Sequence, residues 1–571
     1  MTDIRRTVLW VVFTMSLVLL WDGWQKHNGH PSMFSPTPKA VSTAPATPAS
    51  AGVPAATAAG TTSQAPTTAA PAAAPSEKIT IRTDVLAVTV DTLGGDIVRA
   101  ELPKYLTSYD PTVTDQLLQM VHLQKKPEFT PQPVVLFNEG QHYRAQTGLV
   151  SAQGPLPAHT TPMTAVAGDR ELKAGQDEIK LQLESAEVGG VKLIKTFTFK
   201  RGSYTVGVTH EVVNHGTAPV TPQVYLQLVR DGSTVTGGAA FTPSFTGPAV
   251  YNDKTKFKTL KFEDIDKGKV DIEKQANDGW VSMVQHYFAS AWLVNDAGNR
   301  EFFVRKLPGQ LGVRGDLYAT GMVFTLPTLQ PDSSATQQAT LFAGPQEENN
   351  LSNLAPGLER VKDYGLLTIL AEPLFWLLDK LHGIIGNWGW TIVSLVLLLK
   401  IALYSLNASA YKSMARMKAV APRINEMKER LKDKPQEMQQ EMMKIYREEK
   451  INPIGGCLPI FLQMPIFMAL YWVLLSTVEM RQAPWMLWIT DLSVRDPYFI
   501  LPLLMMASSL FQVWLNPPAA DPMQQKMMWI MPVAFGIMFF VFPSGLVLYW
   551  LTNNILSIAQ QWLINKRLGV N

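Results

Sequence analysis

Hydrophobic and polar positions divide the chain into three textures. The first is an apolar run from Val8 to Trp21, preceded by Arg5 and Arg6 and closed by WDGW. A cleaved signal peptide ends in a small-x-small site. Tryptophans at the end of the run suit a membrane interface instead. Residues 1–25 are therefore expected to form an uncleaved signal-anchor span with its amino end in the cytoplasm. Residues 26–75, which include PTPKAVSTAPATPAS and APTTAAPAAAP, are rich in Pro, Ala and Thr. They cannot bury a core and read as a disordered tether outside the cytoplasmic membrane.

The second texture alternates. In VLAVTV the residues Leu86, Val88 and Val90 fall on one face, SYTVGV does the same with Tyr204, Val206 and Val208, and VYLQLV and KTFTFK follow the pattern. Period-2 alternation marks strands with one buried face. Turn clusters such as LGGD at 93–96 and VNDAGNR at 294–300 punctuate them. Residues 76–360 are thus expected to be a large antiparallel β-sandwich, with a helix near its end at about 347–362.

The third texture has helical spacing. In YGLLTILAEPLFWLLDKLHGIIGN the residues Leu366, Leu367, Leu370, Leu374, Leu377, Leu378 and Leu381 recur at three- and four-residue steps, interrupted by Glu372, Asp379, Lys380 and His382. Residues 361–387 read as an amphipathic helix in the membrane interface, the alternative being a buried helix of the β domain. Five apolar segments follow: span 2 at 388–407, span 3 at 455–476, span 4 at 498–515, span 5 at 527–542 and span 6 at 545–564. Several are short for a hydrocarbon core of about 30 Å, which needs about 20 residues, so local thinning of the bilayer is expected. FPSG forms a tight external turn between the last two.

Charge sets the orientation. The segment 408–454 carries eleven basic residues, whereas 477–497 carries Arg481 and Arg495, and the tail 565–571 holds Lys566 and Arg567. Basic loops stay in the cytoplasm. Six spans with both termini inside then leave the β domain outside, in the periplasm of a bacterium. Within 408–454, Met414, Met417, Ile424, Met427 and Leu431 keep helical spacing, and Met438, Met442 and Ile445 resume it after KDKPQ. That predicts a helical hairpin turning near Pro435, with an adaptable methionine seam. Lys412, Arg416, Lys418, Arg423, Lys428 and Arg430 make it a candidate capture surface.

Composition narrows the functions. Of 571 residues 46% are hydrophobic, and the net charge of +3 gives no field suggesting nucleic acid. A single cysteine, Cys457, excludes an intrachain disulfide and multi-cysteine zinc sites. IGGC at 454–457 lies too deep in the chain to be a lipoprotein cleavage box. HNGH at 27–30 sits in a polar loop, His210 and His215 cannot share one strand face, and GxSxG, HExxH and phosphate-loop motifs are missing. The β domain therefore reads as a scaffold or docking module and the chain as no enzyme, with no cofactor or metal. A sugar or peptide ligand for that domain stays open.

The sharpest feature is Lys400 inside TIVSLVLLLKIALYSL. A lysine at mid-membrane costs about 2.5–3.5 kcal/mol, which the neighbouring apolar residues offset at about 0.3–0.6 kcal/mol each. Snorkelling towards headgroups is the bland explanation. Against it, Tyr404 and Asn407 widen the polar face towards the cytoplasm, and Gln463, Gln512, Asn553, Asn554 and Gln560 add polar groups in other spans. With no deep acidic residue to pair it, the charge implies a hydrated groove open to the cytoplasm.

EEKINPIGGCLPIFLQMPIFMALYWVL, VEMRQAPWMLWITDLSVRDPYFILP, DPMQQKMMWIMP and FPSGLVLYWLTNNILSIAQQ resemble the membrane region of the YidC family of membrane protein insertases, in its Gram-negative form. GGD at 94–96 and GWVSMVQHYFASAWL at 279–293 extend the resemblance to the β domain. It implies an inner-membrane monomer that inserts nascent membrane proteins, alone or with the Sec translocon, and meets the ribosome through cytoplasmic loops and tail. It also implies a five-helix core around a hydrophilic groove carrying one positive charge. Lys400 takes that place, where arginine is usual; Val396, Tyr404, Asn407, Gln463, Met464, Pro465, Tyr549, Trp550 and Asn553 complete the expected groove. Ser405 stands where proline is common. A small-solute transporter with a periplasmic binding domain is the rival reading, but the inverted repeats of such transporters are not evident.

Overall fold

The computed structural model describes Pro54 and residues 76–233, 245–296, 298–307, 316–431, 434–448, 458–516 and 522–568. The expected first span, the tether apart from Pro54, HNGH and Cys457 lie outside the described residues.

Among the described residues, two nine-stranded antiparallel sheets make up the β domain. The strands Ala87–Asp91, Asp96–Leu106, Arg144–Val150, Gln223–Asp231 and Leu317–Thr325 stand side by side in one sheet. The other includes Trp280–Val284, Phe288–Leu293, Ser334–Pro345, Thr205–Asn214 and Val191–Lys200 in that order. Alternation fixes which side faces in: Val206, Val208, His210 and Val212 are buried along one strand, and Leu193, Lys195, Phe197 and Phe199 along its neighbour. VYLQLV departs from the one-face expectation. Its strand is buried on both sides through Arg230, because Tyr225 turns outward under the loop that holds His159, whose backbone N donates to the Tyr225 hydroxyl at 3.0 Å.

Polar groups bridge the sheets inside this core. Lys195 Nζ donates to Gly94 O at 2.6 Å and Thr147 O at 2.8 Å. His210 Nε2 lies 2.9 Å from Thr147 Oγ1; within the first sheet, Gln146 Nε2 donates to Asp96 Oδ2 at 2.6 Å. Burial pushes Asp96 up to about 7 and Lys195 down to about 8, because both charged forms lose their water. The GGD turn presents the Gly94 carbonyl to this lysine. Gly94 has φ +74°, and a Cβ there would lie 2.0 Å from His159 O, so only glycine fits.

Eleven helices are described: α1 (Val113–Met120), α2 (Phe262–Asp266), α3 (Glu348–Leu354), α4 (Thr368–Ile385), α5 (Trp388–Ala402), α6 (Tyr404–Arg430), α7 (Pro435–Glu448), α8 (Leu458–Ser476), α9 (Ile500–Leu515), α10 (Pro522–Met538) and α11 (Ser544–Leu568). α3 is shorter than the helix expected at 347–362; the backbone leaves it at Ala355 and Pro356, and a 3-10 turn, Leu358–Val361, follows. The buried face of α4 runs through Ala371, Phe375 and Leu378 rather than through the whole leucine series. It packs on α5 and α8, and leaves Ile369, Trp376 and Ile384 exposed.

Among the described residues no helix is long and apolar enough to cross a membrane. The apolar helices are short: α5 has 15 residues, α9 16 and α10 17, or about 22–26 Å at 1.5 Å per residue. α5 stops because the chain breaks at Leu403, so Tyr404 and Asn407 belong to α6 and not to one continuous helix with Lys400. α11 is long, at 25 residues, but polar along part of its length. It packs against α5, α6, α8 and α9, and the apolar centre of the bundle includes Ile392, Leu395, Val396, Leu470, Val473, Leu546, Val547 and Tyr549.

Candidate functional site

Three helices converge on one polar stripe. Lys400, in the last turn of α5, is half-buried, and its Nζ donates to Ser557 Oγ of α11 at 2.7 Å. Ser557 Oγ donates in turn to Asn553 O, one helical turn earlier, at 2.7 Å. Gln463 Nε2 of α8 donates to Asn553 Oδ1, also at 2.7 Å. Tyr549, Asn553 and Ser557 recur every four residues and so share one face of α11. Tyr549 is buried and stacks on Phe467 with centroids 5.8 Å apart, and Trp550 meets the same Phe467 edge-on at 4.2 Å.

The expected groove residues divide accordingly. Lys400, Gln463 and Asn553 come together, with Tyr549 and Trp550 closing the stripe at one end. Met464 and Pro465 are exposed on α8, Pro465 within the helix. Tyr404 is exposed and Asn407 buried near the start of α6. Val396 is not on the polar stripe: it is buried in the apolar cluster, one turn before Lys400. The unpaired lysine expected from the sequence is corrected as well, since Ser557 partners it. A lone serine in an apolar helix gives no sign of that role, although its spacing of four from Asn553 was available in the sequence.

Two further polar contacts lie about a quarter turn round α11 from Asn553. Asn554 Nδ2 donates to Ser509 Oγ of α9 at 2.7 Å, and Gln561 Nε2 donates to Asn516 Oδ1 at 3.1 Å. Both hold helix to helix. Chemically, an ammonium with three donors and one neutral partner keeps capacity for a carboxylate. Ser557 accepts from the Lys400 ammonium and gives its own proton to Asn553 O, so the lysine stands as its donor and not as its base; the stripe holds no carboxylate pair.

The outside of the bundle is apolar. Leu397, Leu398 and Ile401 of α5, Leu503, Leu504, Phe511 and Trp514 of α9, and Trp529, Ile530, Val533, Phe535 and Ile537 of α10 are exposed. So large an apolar surface marks an interaction with lipid or protein. Beyond it, α6 and α7 form the expected hairpin. Ile424 and Met427 pack with Ile445 and Tyr446, flanked by Leu431, Met438 and Met442. Lys412, Arg416 and Arg430 are exposed, and Arg423 pairs with Glu448 at 2.9 Å. The side chains of Lys418 and Lys428 lie outside the described residues.

Comparison with known proteins agrees with this division. A family model described as "YidC periplasmic domain" matches residues 78–377, and one described as "60Kd inner membrane protein" matches 380–570. A membrane protein insertase YidC of Cupriavidus taiwanensis is 50% identical over 580 residues, covering 99% of this chain and 98% of its own. The chain belongs to the YidC family of membrane protein insertases. The YidC of Ralstonia nicotianae is 49% identical, over 100% of this chain and 99% of its own. A crystal structure of an active YidC insertase with its first transmembrane domain resolved aligns at TM-score 0.38 and 19% identity, over 84% of this chain and 91% of that one. In YidC terms, the two sheets fall within the match to the periplasmic domain and the helices from α5 onward within the match to the 60Kd inner membrane protein family. The family is one of insertases, not enzymes.

Proposed function

We propose that the chain inserts nascent membrane proteins into the bacterial inner membrane through a groove lined by the Lys400–Ser557–Asn553–Gln463 stripe. In this reading there are six spans: residues 1–25 and five helices, α5, α8, α9, α10 and α11. Both termini and the α6–α7 hairpin are cytoplasmic, and the sheet domain is periplasmic. The observation that carries it is a polar stripe between helices whose outer surfaces are apolar. A stripe of this kind is costly in lipid unless water or substrate reaches it.

The mechanism needs no nucleotide. A substrate helix of about 20 apolar residues gains on the order of 10 kcal/mol on entering lipid. The obstacle is its polar flank. Short helices thin the local bilayer, and the groove shortens the remaining apolar path. Lys400 holds acidic residues of that flank transiently, where a low-dielectric wall strengthens the attraction, and the helix then leaves sideways into lipid. Met464 and Tyr404, both exposed, suit the path of the incoming segment. The Sec translocon and the ribosome are the expected partners of a monomer working in this way.

Insertion of a substrate with a short acidic tail into liposomes tests the reading. Lys400→Arg should retain activity, because the charge remains. Lys400→Ala and Lys400→Glu should lower it, the latter by tenfold or more if an attraction of about 1.4 kcal/mol is lost. Insertion by Lys400→Glu at the wild-type rate would refute the charge model.

A further inference from the structure

The stretch that follows the strand Asp96–Leu106 is inside out. In α1 the buried side chain is Gln116, 6% exposed, whereas Leu117 is 45% exposed. Val121 and Leu123, just past the helix, are 58% and 78% exposed, and Leu118, Met120 and Phe129 are exposed too. A helix on an aqueous domain surface buries leucine and shows glutamine.

The polar side of α1 is used for attachment. Gln116 Nε2 donates to Asp496 O at 2.6 Å. Close by, Ser108 Oγ donates to Asp491 Oδ2 at 2.8 Å, and Arg495 Nε donates to Asp110 Oδ1 at 2.9 Å. Asp496 Oδ2 also accepts from Leu501 N at 2.7 Å, in the first turn of α9. α1 is therefore fastened at the amino end of α9. Tyr498 and Leu487 are exposed on that loop, and Leu503 and Leu504 on the next turns of α9. The apolar patch of α1 joins the apolar outside of the bundle there. Lys125 and Lys126 follow on an exposed loop, as a basic edge does on segments that lie on anionic lipid.

We propose that residues 117–126 dock on the outer leaflet of the bilayer, with Leu117, Val121 and Leu123 in the headgroup–acyl boundary and the two lysines at the phosphates. This lipid contact sets the height of the sheet domain above the membrane. It rests on the orientation proposed above.

The test uses the full chain with Cys457→Ser and a single cysteine, Leu123→Cys or, as a reference on α9, Leu503→Cys. Each is labelled with an environment-sensitive fluorophore and reconstituted in vesicles of phosphatidylethanolamine and phosphatidylglycerol. The proposal expects the probe at 123 to show blue-shifted emission, loss of fluorescence with nitroxide placed near the headgroup, and protection from iodide. If the probe at 503 meets lipid while that at 123 behaves as in water, the docking proposal alone falls, including the case where added membrane proteins then cover position 123. If neither probe meets lipid, the spanning reading falls first and takes this one with it.

Discussion

Lys195 and His210 lie in step with Leu193 and Phe197 and with Val208 and Val212, so strand alternation alone puts both on the inner face. What alternation could not supply was their partners, the carbonyls of Gly94 and Thr147 and the Thr147 hydroxyl. These come from the facing sheet, and nothing local encodes such a pairing. The same limit hid Ser557 from a reading that found Lys400. His210 gives a pH prediction. Burial, with the Lys195 ammonium near, pushes it down to about 3 from 6.5, and His286, also buried, goes to about 4. A lowered pKa means that the unfolded chain binds the proton first. Stability is then lost as pH falls from about 6.5 towards the folded values, by up to ~1.4 kcal/mol per pH unit for each group. Asp96, whose carboxyl burial holds up to about 7, works in the opposite sense over the same range, so the comparison is between two proteins. Between pH 7 and pH 5 the thermal-unfolding midpoint of the detergent-solubilised chain should fall relative to that of His210→Gln, and identical slopes would contradict it.

Among the elements, the α6–α7 hairpin was the most legible. Its spacing predicted the seam through Ile424, Met427, Leu431, Met438, Met442 and Ile445, the side chains of Met414 and Met417 lying outside the described residues, and α7 begins at Pro435. Boundaries were less legible. The break at Leu403 has no proline or glycine to announce it, and the chain passes from one helix to the next through apolar sequence. The two-sided burial of VYLQLV depends on a distant loop covering the sheet. Because the hairpin packs within itself, deleting 412–448 should leave α5 and α8 to α11 assembled. Crosslinking of a stalled nascent chain to the bundle should fall severalfold while thermal unfolding of the remainder changes little. Unchanged crosslinking would remove the hairpin from substrate capture.

For the whole molecule, the order of sheets then helices could be read from periodicity, but the joint between them could not. It is made by residues hundreds of positions apart. Arg481 donates to Leu106 O at 2.8 Å and lies over the rings of Tyr287 and Phe288, 5.2 and 5.6 Å from their centroids. Arg481→Ala removes a charge-assisted hydrogen bond and two ring contacts, about 2 kcal/mol together. Hydrogen exchange at 106–112 and 477–496 should quicken, about tenfold for each ~1.4 kcal/mol lost, while the sheet core keeps its protection. Equal exchange in both proteins would mean that this joint is held elsewhere.

The turn between α10 and α11 is stitched to the loop before α9: Ser544 N donates to Val494 O at 2.7 Å and Gly545 N to Leu492 O at 2.9 Å. That loop is also where the sheet domain is fastened. One end of the bundle is thus tied to the sheet domain as well as within itself and can serve as a fulcrum, while the far end of the lever carries the Lys400–Ser557 and Gln561–Asn516 contacts. A tilt of about 10° in a helix of ~22 Å moves its far end by about 4 Å, close to the width that one more side chain needs, while the near end scarcely moves. Under the proposed insertion mechanism, leverage of this kind would let the bundle widen for a guest at the far end while the end tied to the sheet domain stays closed.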